Sequence, residues 1–513
     1  MSNTRVLVIG AGMGGLAAAL ALSARGLDVQ VLESAAAPGG KIRELRIGAR
    51  PMDAGPTVFT MRWVFDELLA RAGVRLEDHL ALDPSTVLAR HAWNADSRLD
   101  LYGDIDRSSD AIGSFAGAAE ARGYRSFCAR AREIYTTLES PFLRSTRPTP
   151  LSLAARAGLR GLPALARISP FATLWKELGH HFKDARLRQL FGRYATYCGS
   201  SPFLAPATLM LVAHVEQDGV WRVRGGMHRI PELWARLAAE RGARLRYGAQ
   251  VKEITVRDGR ACGVRLADGE SLAADAIVYN GDVAALGLGL LGRPAAVAAA
   301  APDRGRRSLS ALTFNLLATS SGFPLVRHNV FFSGDYAAEF DDIFRHHRLP
   351  TGPSVYVCAQ DRGDDGDAAP VGPERLFCIV NAPASGDAVT FTPQEIASCE
   401  KRTFDLLSRC GLSLDCDPAR MLTTTPQDFD RMFPGTGGAL YGQASHGWAA
   451  SFSRPGSRSR LPGLYLAGGS THPGPGVPMA ALSGGLAAES LLADLASTRR
   501  WRPADMRGGM STP

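Results

Sequence analysis

The sequence predicts an α/β protein in which a discontinuous nucleotide-binding domain carries an inserted mixed α+β domain. Three observations predict this class. An apolar strand, a glycine-rich turn and an Ala- and Leu-rich helix follow one another at the N-terminus, a β-rich segment begins at Arg244, and a strand and a helix occupy 463–493. Because 513 residues exceed one compact core, the long stretches between these pieces predict a second domain.

The N-terminal piece has the pattern of a βαβ unit. Arg5 to Ile9 and Val29 to Leu32 are short apolar runs that predict buried strands, and Leu16 to Ala24 predicts the crossover helix. Glycines interrupt this apolar region, so it is not interpreted as a signal peptide. The unit therefore predicts a Rossmann-like fold.

The turn between the first strand and the helix satisfies the GxGxxG pattern with Gly10, Gly12, Gly14 and Gly15. These glycines permit a tight turn, a close approach of the backbone to a pyrophosphate and close helix–strand packing. The helix N-terminus then offers free N–H groups to the phosphates. Glu33 ends the second strand, where its carboxylate is expected to bind a ribose diol and to repel the 2′-phosphate of NADP.

The composition excludes several classes of function. The net charge is +8, but the basic residues are scattered and form no nucleic-acid-binding motif, so no nucleic-acid partner is expected. The eight cysteines contain no CxxC pair, so we predict no metal site and expect reduced cytosolic thiols. No run of about 18 uninterrupted apolar residues occurs, so no transmembrane helix is expected.

Further glycine motifs separate FAD from NAD. Pro38-Gly39-Gly40-Lys41 resembles the second glycine-pair motif of the flavoprotein amine-oxidase superfamily, whose fold is shared by the GDI proteins. The stretch from Leu464 to Gly469 and the helix that follows resemble its C-terminal flavin motif. A helix N-terminus there stabilises the negative charge of reduced flavin. The resemblance implies that the cofactor is FAD. Beyond the first glycine turn and Glu33, it implies these binding residues: Gly39, Gly40, Lys41, Gly55, Pro56, Thr57, Val251, Gly468, Gly469, Val477, Pro478 and Met479.

Within that superfamily the chain resembles the bacterial phytoene-desaturase-type carotenoid dehydrogenases, from about Arg5 to Leu495, and most closely the 1-hydroxycarotenoid 3,4-desaturases. The motifs that carry the resemblance are 53–62, 180–184, 190–197, 328–332, 358–362 and 467–474. The resemblance implies an acyclic C40 carotenoid with a tertiary alcohol at C1 as substrate. It implies a new C3–C4 double bond, with both electrons passing to FAD and then to oxygen or a membrane quinone.

Loss of two hydrogens from an allylic CH2–CH2 group needs a hydride acceptor and only a weak base. His472 and Asp53, which adjoin the flavin motifs, are the candidate proton acceptors, and His446 is a third. A structural hydrogen bond is the alternative role for each. Arg193, Tyr194 and Tyr197 recur at helical spacing and are candidates for binding the substrate hydroxyl, with a buried packing face as the alternative.

The segment from Leu151 to Ile168 carries Arg156, Arg160 and Arg167 among leucines, with Pro163 interrupting it. This pattern is typical of a basic amphipathic segment at a membrane surface, and also of an ordinary surface helix. Because the implied substrate is insoluble in water, we expect a cytoplasmic protein that associates peripherally with the inner membrane.

The predicted FAD-binding domain comprises 1–75, 218–283 and 455–495, the substrate and membrane-associating domain comprises 76–217 and 284–454, and 496–513 forms a flexible tail. Alternative functions remain open. A phytoene or neurosporene desaturase, or a carotene isomerase, has the same fold. A flavin amine oxidase and a non-catalytic GDI-like lipid-binding protein are alternatives of other classes.

Overall fold

The computed structural model describes residues 4–153, 155–156, 158, 168, 171–363 and 370–500. Its strands are β1 (Arg5–Ile9), β2 (Asp28–Leu32), β3 (Glu44–Ile47), β4 (Arg50–Asp53), β5 (Phe59–Thr60), β6 (Leu82–Pro84), β7 (Val87–Ala92), β8 (Arg98–Tyr102), β9 (Val220–Val223), β10 (Arg244–Arg246), β11 (Val251–Arg257), β12 (Arg260–Leu266), β13 (Ser271–Ala273), β14 (Ala276–Tyr279), β15 (Ser310–Ser321), β16 (His328–Phe331), β17 (Val355–Ala359), β18 (Glu374–Ala382), β19 (Ser413–Asp415), β20 (Met421–Thr424) and β21 (Leu464–Leu466). The helices with described bounds are α1 (Met13–Ser23), α2 (Arg62–Ala70), α3 (Ile105–Ala116), α4 (Ala118–Leu138), α5 (Leu174–His181), α6 (Ala185–Gly192), α7 (Leu211–Gln217), α8 (Arg229–Glu240), α9 (Val283–Gly287), α10 (Tyr336–Phe344), α11 (Pro393–Arg409), α12 (Pro426–Met432) and α13 (Val477–Arg500).

A parallel five-stranded sheet in the order β10-β2-β1-β14-β21 forms the centre of the nucleotide-binding domain. Its strands come from the start, the middle and the end of the chain, as the sequence predicts. Ile9 is level with Leu32 and with Tyr279, and Tyr279 is level with Leu466. The carboxyl ends of four strands therefore meet at one edge, where ligands bind in folds of this type.

Two apolar helices cover one face of this sheet. Helix α1 is buried almost throughout and packs against α13. The two backbones come close together, because a Cβ atom added at Gly484 would clash with the Gly14 carbonyl. Among the described residues, one segment, Val477–Ser497, is long and apolar enough to cross a membrane, but 56% of its best window is buried inside the protein. It is therefore a core helix of the nucleotide-binding domain.

The second domain is built on a mixed sheet in the order β19-β15-β18-β17-β16-β7-β8, with β20 also pairing with β15. The pairing of β16 with β7 is parallel, and the other pairings of this sheet are antiparallel. Along β15, Leu312, Phe314 and Leu316 belong to the core that includes side chains of α11, whereas Ala311 and Thr313 face a cavity. Alternation along the strand thus supplies one core face and one cavity face.

Helices α3 to α7 complete the second domain around a core of stacked aromatic rings that includes Phe127, Phe182 and Phe191. The inserted part is thus mixed α+β, as predicted. Helix α13 continues to Arg500, into the first residues of the predicted flexible tail from residue 496; residues 501–513 lie outside the described residues. Most of the predicted amphipathic segment, including Arg160, Pro163 and Arg167, also lies outside them.

Candidate active site

A cavity of about 1370 Å³ connects the edge of the parallel sheet with the inner face of the mixed sheet. This volume exceeds the roughly 300–1,000 Å³ of an ordinary small-molecule pocket, so the cavity has room for more than one drug-sized ligand. Gly10, Gly12 and Gly14 line its nucleotide half, and Ala311 and Tyr356 line its other half. The glycine-rich motifs and the substrate domain therefore share one continuous space.

The first glycine turn leaves no room for side chains. A Cβ atom at Gly14 would lie 2.5 Å from Asn280 Oδ1 and 2.7 Å from the Gly468 nitrogen. Gly15 does not line the cavity; a Cβ atom there would clash with the Gly10 carbonyl. Gly15 therefore allows the helix to pack closely on the strand and does not contribute to the surface of the cavity.

Glu33 lines the cavity at the end of β2, and only 7% of its surface is exposed. Its Oε2 accepts a hydrogen bond from the Ala11 nitrogen at 2.6 Å, and its Oε1 accepts one from the Ala35 nitrogen at 2.7 Å. These bonds hold the carboxylate in one orientation and leave further lone pairs on each oxygen. The site can therefore accept the two hydroxyls of a ribose.

The second glycine pair, Gly39 and Gly40, is hydrogen-bonded to the first glycine turn. The Gly39 nitrogen donates to the Ala11 carbonyl at 2.8 Å, and the Gly39 φ of 123° is a value that glycine alone adopts readily. Gly40 and Lys41 follow and line the cavity. Lys41 Nζ donates to the Leu440 carbonyl at 2.6 Å, and burial lowers the pKa of this ammonium group.

The remaining predicted cofactor residues line the same cavity. They are Gly55, Pro56, Thr57, Val251, Gly468, Gly469, Val477, Pro478 and Met479. Helix α13 begins at Val477, so its N-terminus opens on the cavity and presents free N–H groups and partial positive charge. This arrangement, together with the glycine cradle and Glu33, fits a flavin dinucleotide, whose pyrophosphate, ribose and reduced ring need these partners.

Arg454 is a cofactor-side residue that the sequence analysis missed. It lines the cavity and is 6% exposed. Its guanidinium donates to the carbonyls of Tyr441 at 3.1 Å, Gly469 at 3.2 Å and Gln443 at 2.6 Å. Burial lowers its pKa, yet arginine stays charged, so the cation adds positive charge beside the C-terminal flavin motif.

The predicted proton acceptor Asp53 does not line the cavity. Its carboxylate accepts from the Met227 nitrogen at 2.9 Å and from the His228 nitrogen at 3.3 Å, just before α8 begins. Burial raises the pKa of Asp53, and the two backbone bonds oppose this shift. These bonds hold the start of α8 against β4, and the role of Asp53 as proton acceptor stays a prediction.

The two candidate histidines are engaged away from the cavity as well. His472 Nε2 donates to the Phe142 carbonyl at 2.8 Å, and His446 Nε2 accepts from the Ser201 nitrogen at 3.0 Å. Burial lowers the pKa of each to about 4. Neither lines the cavity, and the role of His472 as proton acceptor stays a prediction.

Two of the three predicted substrate residues, Arg193 and Tyr197, line the cavity, and the third does not. Tyr194 Oη donates to Glu216 Oε2 at 2.7 Å, and Tyr197 Oη donates to Glu216 Oε1 at 2.5 Å. Arg193 Nη2 lies 3.4 Å from Tyr197 Oη. The buried Glu216, absent from the sequence prediction, therefore fixes both phenols and leaves Arg193 as the charged group that faces the substrate half.

Two further tyrosines of the cavity wall were also missed. Tyr336 Oη is buried, with no hydrogen-bond partner among the described residues. Tyr356 Oη lies 2.7 Å from both Thr57 Oγ1 and His328 Nδ1. Tyr356 lies in an apolar strand and Tyr336 begins α10, so neither gave a signal in the sequence; only His328, within the 328–332 motif, did.

A sequence profile of the family described as flavin containing amine oxidoreductase matches residues 13–492. The chain is 58% identical to the hydroxyneurosporene desaturase of Rubrivivax gelatinosus, over 99% of this chain and 97% of that one. It is 47% identical to the hydroxyneurosporene desaturase of Cereibacter sphaeroides, over 97% and 99%. A putrescine oxidase structure with putrescine bound superposes with a TM-score of 0.56 at 15% identity, over 96% and 99%, which indicates a shared fold.

Proposed function

The chain belongs to the flavin containing amine oxidoreductase family, and on this basis we propose that it introduces a C3–C4 double bond into acyclic 1-hydroxycarotenoids. It is an FAD-dependent carotenoid oxidoreductase. The observation that carries the proposal is one continuous cavity, which runs from the glycine cradle to apolar walls and is also lined by Arg193 and Tyr197. The identity of 58% to a hydroxyneurosporene desaturase supports the substrate class.

The substrate half suits a long apolar chain. Its walls include Leu138, Phe142, Leu209, Val212 and Phe377, and burying an apolar ligand against such side chains stabilises it by roughly 25 cal/mol per Å². Some polar groups of the wall are paired within the protein, as the Tyr197–Glu216 bond illustrates. A polyene therefore fits without leaving many polar groups unsatisfied.

The tertiary hydroxyl has candidate partners in this chamber. Arg193 Nε and Tyr336 Oη are buried and have no hydrogen-bond partner among the residues that the structure describes. Both residues line the cavity. A buried donor without a partner costs about 1–3 kcal/mol, so a ligand oxygen that pairs with it binds more tightly than a methyl group does.

Bound FAD would accept one hydride, which carries both electrons of the oxidation. The protein would supply the positioning: Gly468, Gly469 and the start of α13 would hold the ring end of the cofactor, and the apolar walls would hold the polyene. Reacting atoms must lie within about 3.5 Å of each other for transfer. Removal of a hydride from allylic C4 gives a cation delocalised over the polyene, and loss of a proton from C3 completes the double bond.

The mouth of the cavity supports loading from a bilayer. Phe171 and Trp448 line the cavity and are 78% and 47% exposed, and their ring centroids lie 5.5 Å apart. Leu151, next to the cavity-lining Pro150, is 84% exposed, and Arg156 is exposed on the same segment. An apolar rim with a basic neighbour suits the interface of an anionic membrane. We therefore propose a cytoplasmic enzyme peripherally bound to the inner membrane.

The final electron acceptor is proposed to be oxygen or a membrane quinone. The support is the sequence, which contains one dinucleotide-binding motif and no second one for NAD. Membrane binding at the cavity mouth would also bring the enzyme close to the quinone pool.

The test is to supply the purified FAD-loaded enzyme with 1-hydroxyneurosporene or with phytoene in liposomes under air. The proposal predicts a red-shifted product from the hydroxycarotenoid, since the conjugated chain gains a double bond. A red shift with phytoene alone would reject the substrate assignment in favour of a phytoene desaturase.

A further inference from the structure

Three polar side chains form a hydrogen-bonded chain that runs from the cavity into the wall of the second domain. Thr57 Oγ1 and Tyr356 Oη lie 2.7 Å apart, and Tyr356 Oη and His328 Nδ1 also lie 2.7 Å apart. Thr57 and Tyr356 line the cavity, whereas His328 does not and is 4% exposed. Tyr356 therefore stands between the cavity and a buried imidazole.

Tyr356 lies at the boundary between the cofactor half and the substrate half of the cavity. Thr57 directly follows Gly55 and Pro56 of the cofactor half, and Tyr356 belongs to β17 of the mixed sheet. A hydroxyl at this boundary lies between the space for the cofactor and the space for the substrate. The candidate bases Asp53 and His472 lack this property, because neither lines the cavity.

The charges around His328 determine the direction in which a proton can move along these hydrogen bonds. Burial, and then the nearby cations Arg327 and Arg193, lower the pKa of His328 to about 3, so the imidazole is neutral near pH 7. A neutral imidazole has one nitrogen free to accept a proton. The bonds are consistent when Thr57 donates to Tyr356 and Tyr356 donates to His328 Nδ1, which leaves a lone pair on the Tyr356 oxygen. The thiol of neighbouring Cys358 is no rival base, because burial raises its pKa.

We propose that Tyr356 is the proton acceptor of the desaturation and that His328 is the positioning residue that receives the proton Tyr356 gives up. The inference rests on the proposed function. The substrate loses a hydride from C4 to FAD, and its C3–H bond breaks, with the electron pair forming the C3–C4 double bond. The C3 proton bonds to Tyr356 Oη while the Tyr356 proton moves to His328 Nδ1, so Tyr356 ends unchanged. His328 then releases its proton to water before the next turnover.

A weak base suffices for this step. An allylic cation conjugated with a polyene is a very strong acid, so a neutral imidazole reached through a phenol accepts its proton readily. The same weak basicity makes His328 release the proton again. A base of ordinary basicity would release it less readily.

The test compares the wild-type enzyme with Tyr356→Phe and His328→Asn, using 1-hydroxyneurosporene carrying deuterium at C3 or at C4. In the wild type we expect an isotope effect from C4, where the hydride leaves, and almost none from C3. In Tyr356→Phe we expect kcat to fall about 100-fold or more, with KM and FAD content unchanged, and an isotope effect from C3 to appear. His328→Asn is expected to show the same new C3 effect with a smaller loss of kcat.

Tyr102→Phe is the matched control, since Tyr102 ends β8 of the same mixed sheet and does not line the cavity. It should keep the wild-type isotope pattern. A Tyr356→Phe enzyme with kcat within twofold of the wild type, or with a lower kcat but no C3 isotope effect, would overturn the proposed roles of Tyr356 and His328. It would leave the proposed function of the enzyme standing. A wild-type enzyme that leaves the hydroxycarotenoid unchanged would instead contradict the proposed function.

Discussion

Thr57 and Tyr356 share a hydrogen bond of 2.7 Å although 299 positions separate them in the chain. Thr57 belongs to a cofactor motif of the nucleotide-binding domain, and Tyr356 belongs to the sheet of the substrate domain. The bond therefore ties the two domains together at the point where flavin and polyene must meet. Changes on either side of it are expected to affect different properties of the enzyme.

The first prediction concerns cofactor affinity. Glu33→Gln keeps the size of the side chain but removes the charge that strengthens hydrogen bonds from the ribose hydroxyls. Hydrogen bonds to charged groups contribute about 1.5–3 kcal/mol, so the Kd for FAD should rise roughly 10- to 100-fold. Flavin fluorescence during titration of the apoprotein measures it. Glu232→Gln, on the exposed side of α8, should leave the Kd unchanged; equal affinities for Glu33→Gln and the wild type would refute the assignment.

The close contact between α1 and α13 makes a prediction about stability. In Gly484→Ala the added Cβ would clash with the Gly14 carbonyl, so α13 must move away from the glycine turn. Overpacking of this kind costs about 1–3 kcal/mol, and the shift should also weaken FAD binding. Thermal unfolding with and without FAD measures both effects. Gly334→Ala has open space around the new Cβ and should behave as the wild type; an unaltered Tm for Gly484→Ala would contradict the close contact.

Arg193 is predicted to set the preference for hydroxylated substrates. Arg193→Gln removes the charged donor from the apolar chamber, so the hydroxyl loses a partner while the polyene keeps its apolar contacts. The ratio of kcat/KM for 1-hydroxyneurosporene to that for neurosporene should fall about 10- to 100-fold. Arg236→Gln, on the surface of α8, serves as the control. A ratio that stays constant in Arg193→Gln would place the hydroxyl elsewhere.

The exposed rim is predicted to bind membranes. The double variant Leu151→Ser, Phe171→Ser removes two side chains that are 84% and 78% exposed beside the cavity mouth. It should lose cosedimentation with phosphatidylglycerol vesicles while keeping its FAD and its Tm, because neither side chain belongs to the core. The comparison is Val389→Ser, Leu422→Ser, which removes exposed apolar side chains away from the cavity. Full vesicle binding by the rim variant would disprove this role.

Glu339 provides a prediction about pH. Burial raises the pKa of its carboxyl to about 7 from an ordinary value of 4.5, although Ser354 and Asn381 donate to its oxygens. Between these values the folded protein holds a proton that the unfolded chain releases, so the stability from Glu339 is complete below 4.5 and is lost as pH rises through 7. The loss is on the order of 3 kcal/mol.

Urea unfolding of the wild type and Glu339→Gln between pH 5 and 8 tests this linkage. The wild type should lose stability relative to the variant as the pH rises, because glutamine does not titrate. Glu240→Gln, at an exposed ion pair with Arg236, should follow the wild type. Parallel pH profiles for wild type and Glu339→Gln would show that Glu339 has an ordinary pKa in the folded protein.

The cofactor site was largely predictable from the sequence, because its signals are local. A glycine turn between a strand and a helix, Glu33 at a strand end and the glycines before α13 each occupy a few consecutive residues whose geometry follows from their type. The register of β1, β2 and β14 then brings these turns to one edge.

The catalytic half was not predictable in this way. Asp53 and His472 adjoin flavin motifs in the sequence, but a neighbour in the chain need not line the site, and neither of these lines the cavity. Tyr356 sits in an apolar strand with no local polar signal, and its partner Thr57 is distant in the sequence. The alternation of β17 and its pairing with β16 place the phenol beside His328, and such pairing is a property of the folded sheet.

The most direct test of the central claim is an anaerobic titration of the FAD-loaded enzyme with 1-hydroxyneurosporene, followed at the flavin and carotenoid absorbance bands. We expect that one flavin is bleached for each carotenoid that gains a double bond, with no other electron acceptor present. A red-shifted carotenoid without flavin bleaching, or a flavin that stays oxidised in the presence of the substrate, would contradict it.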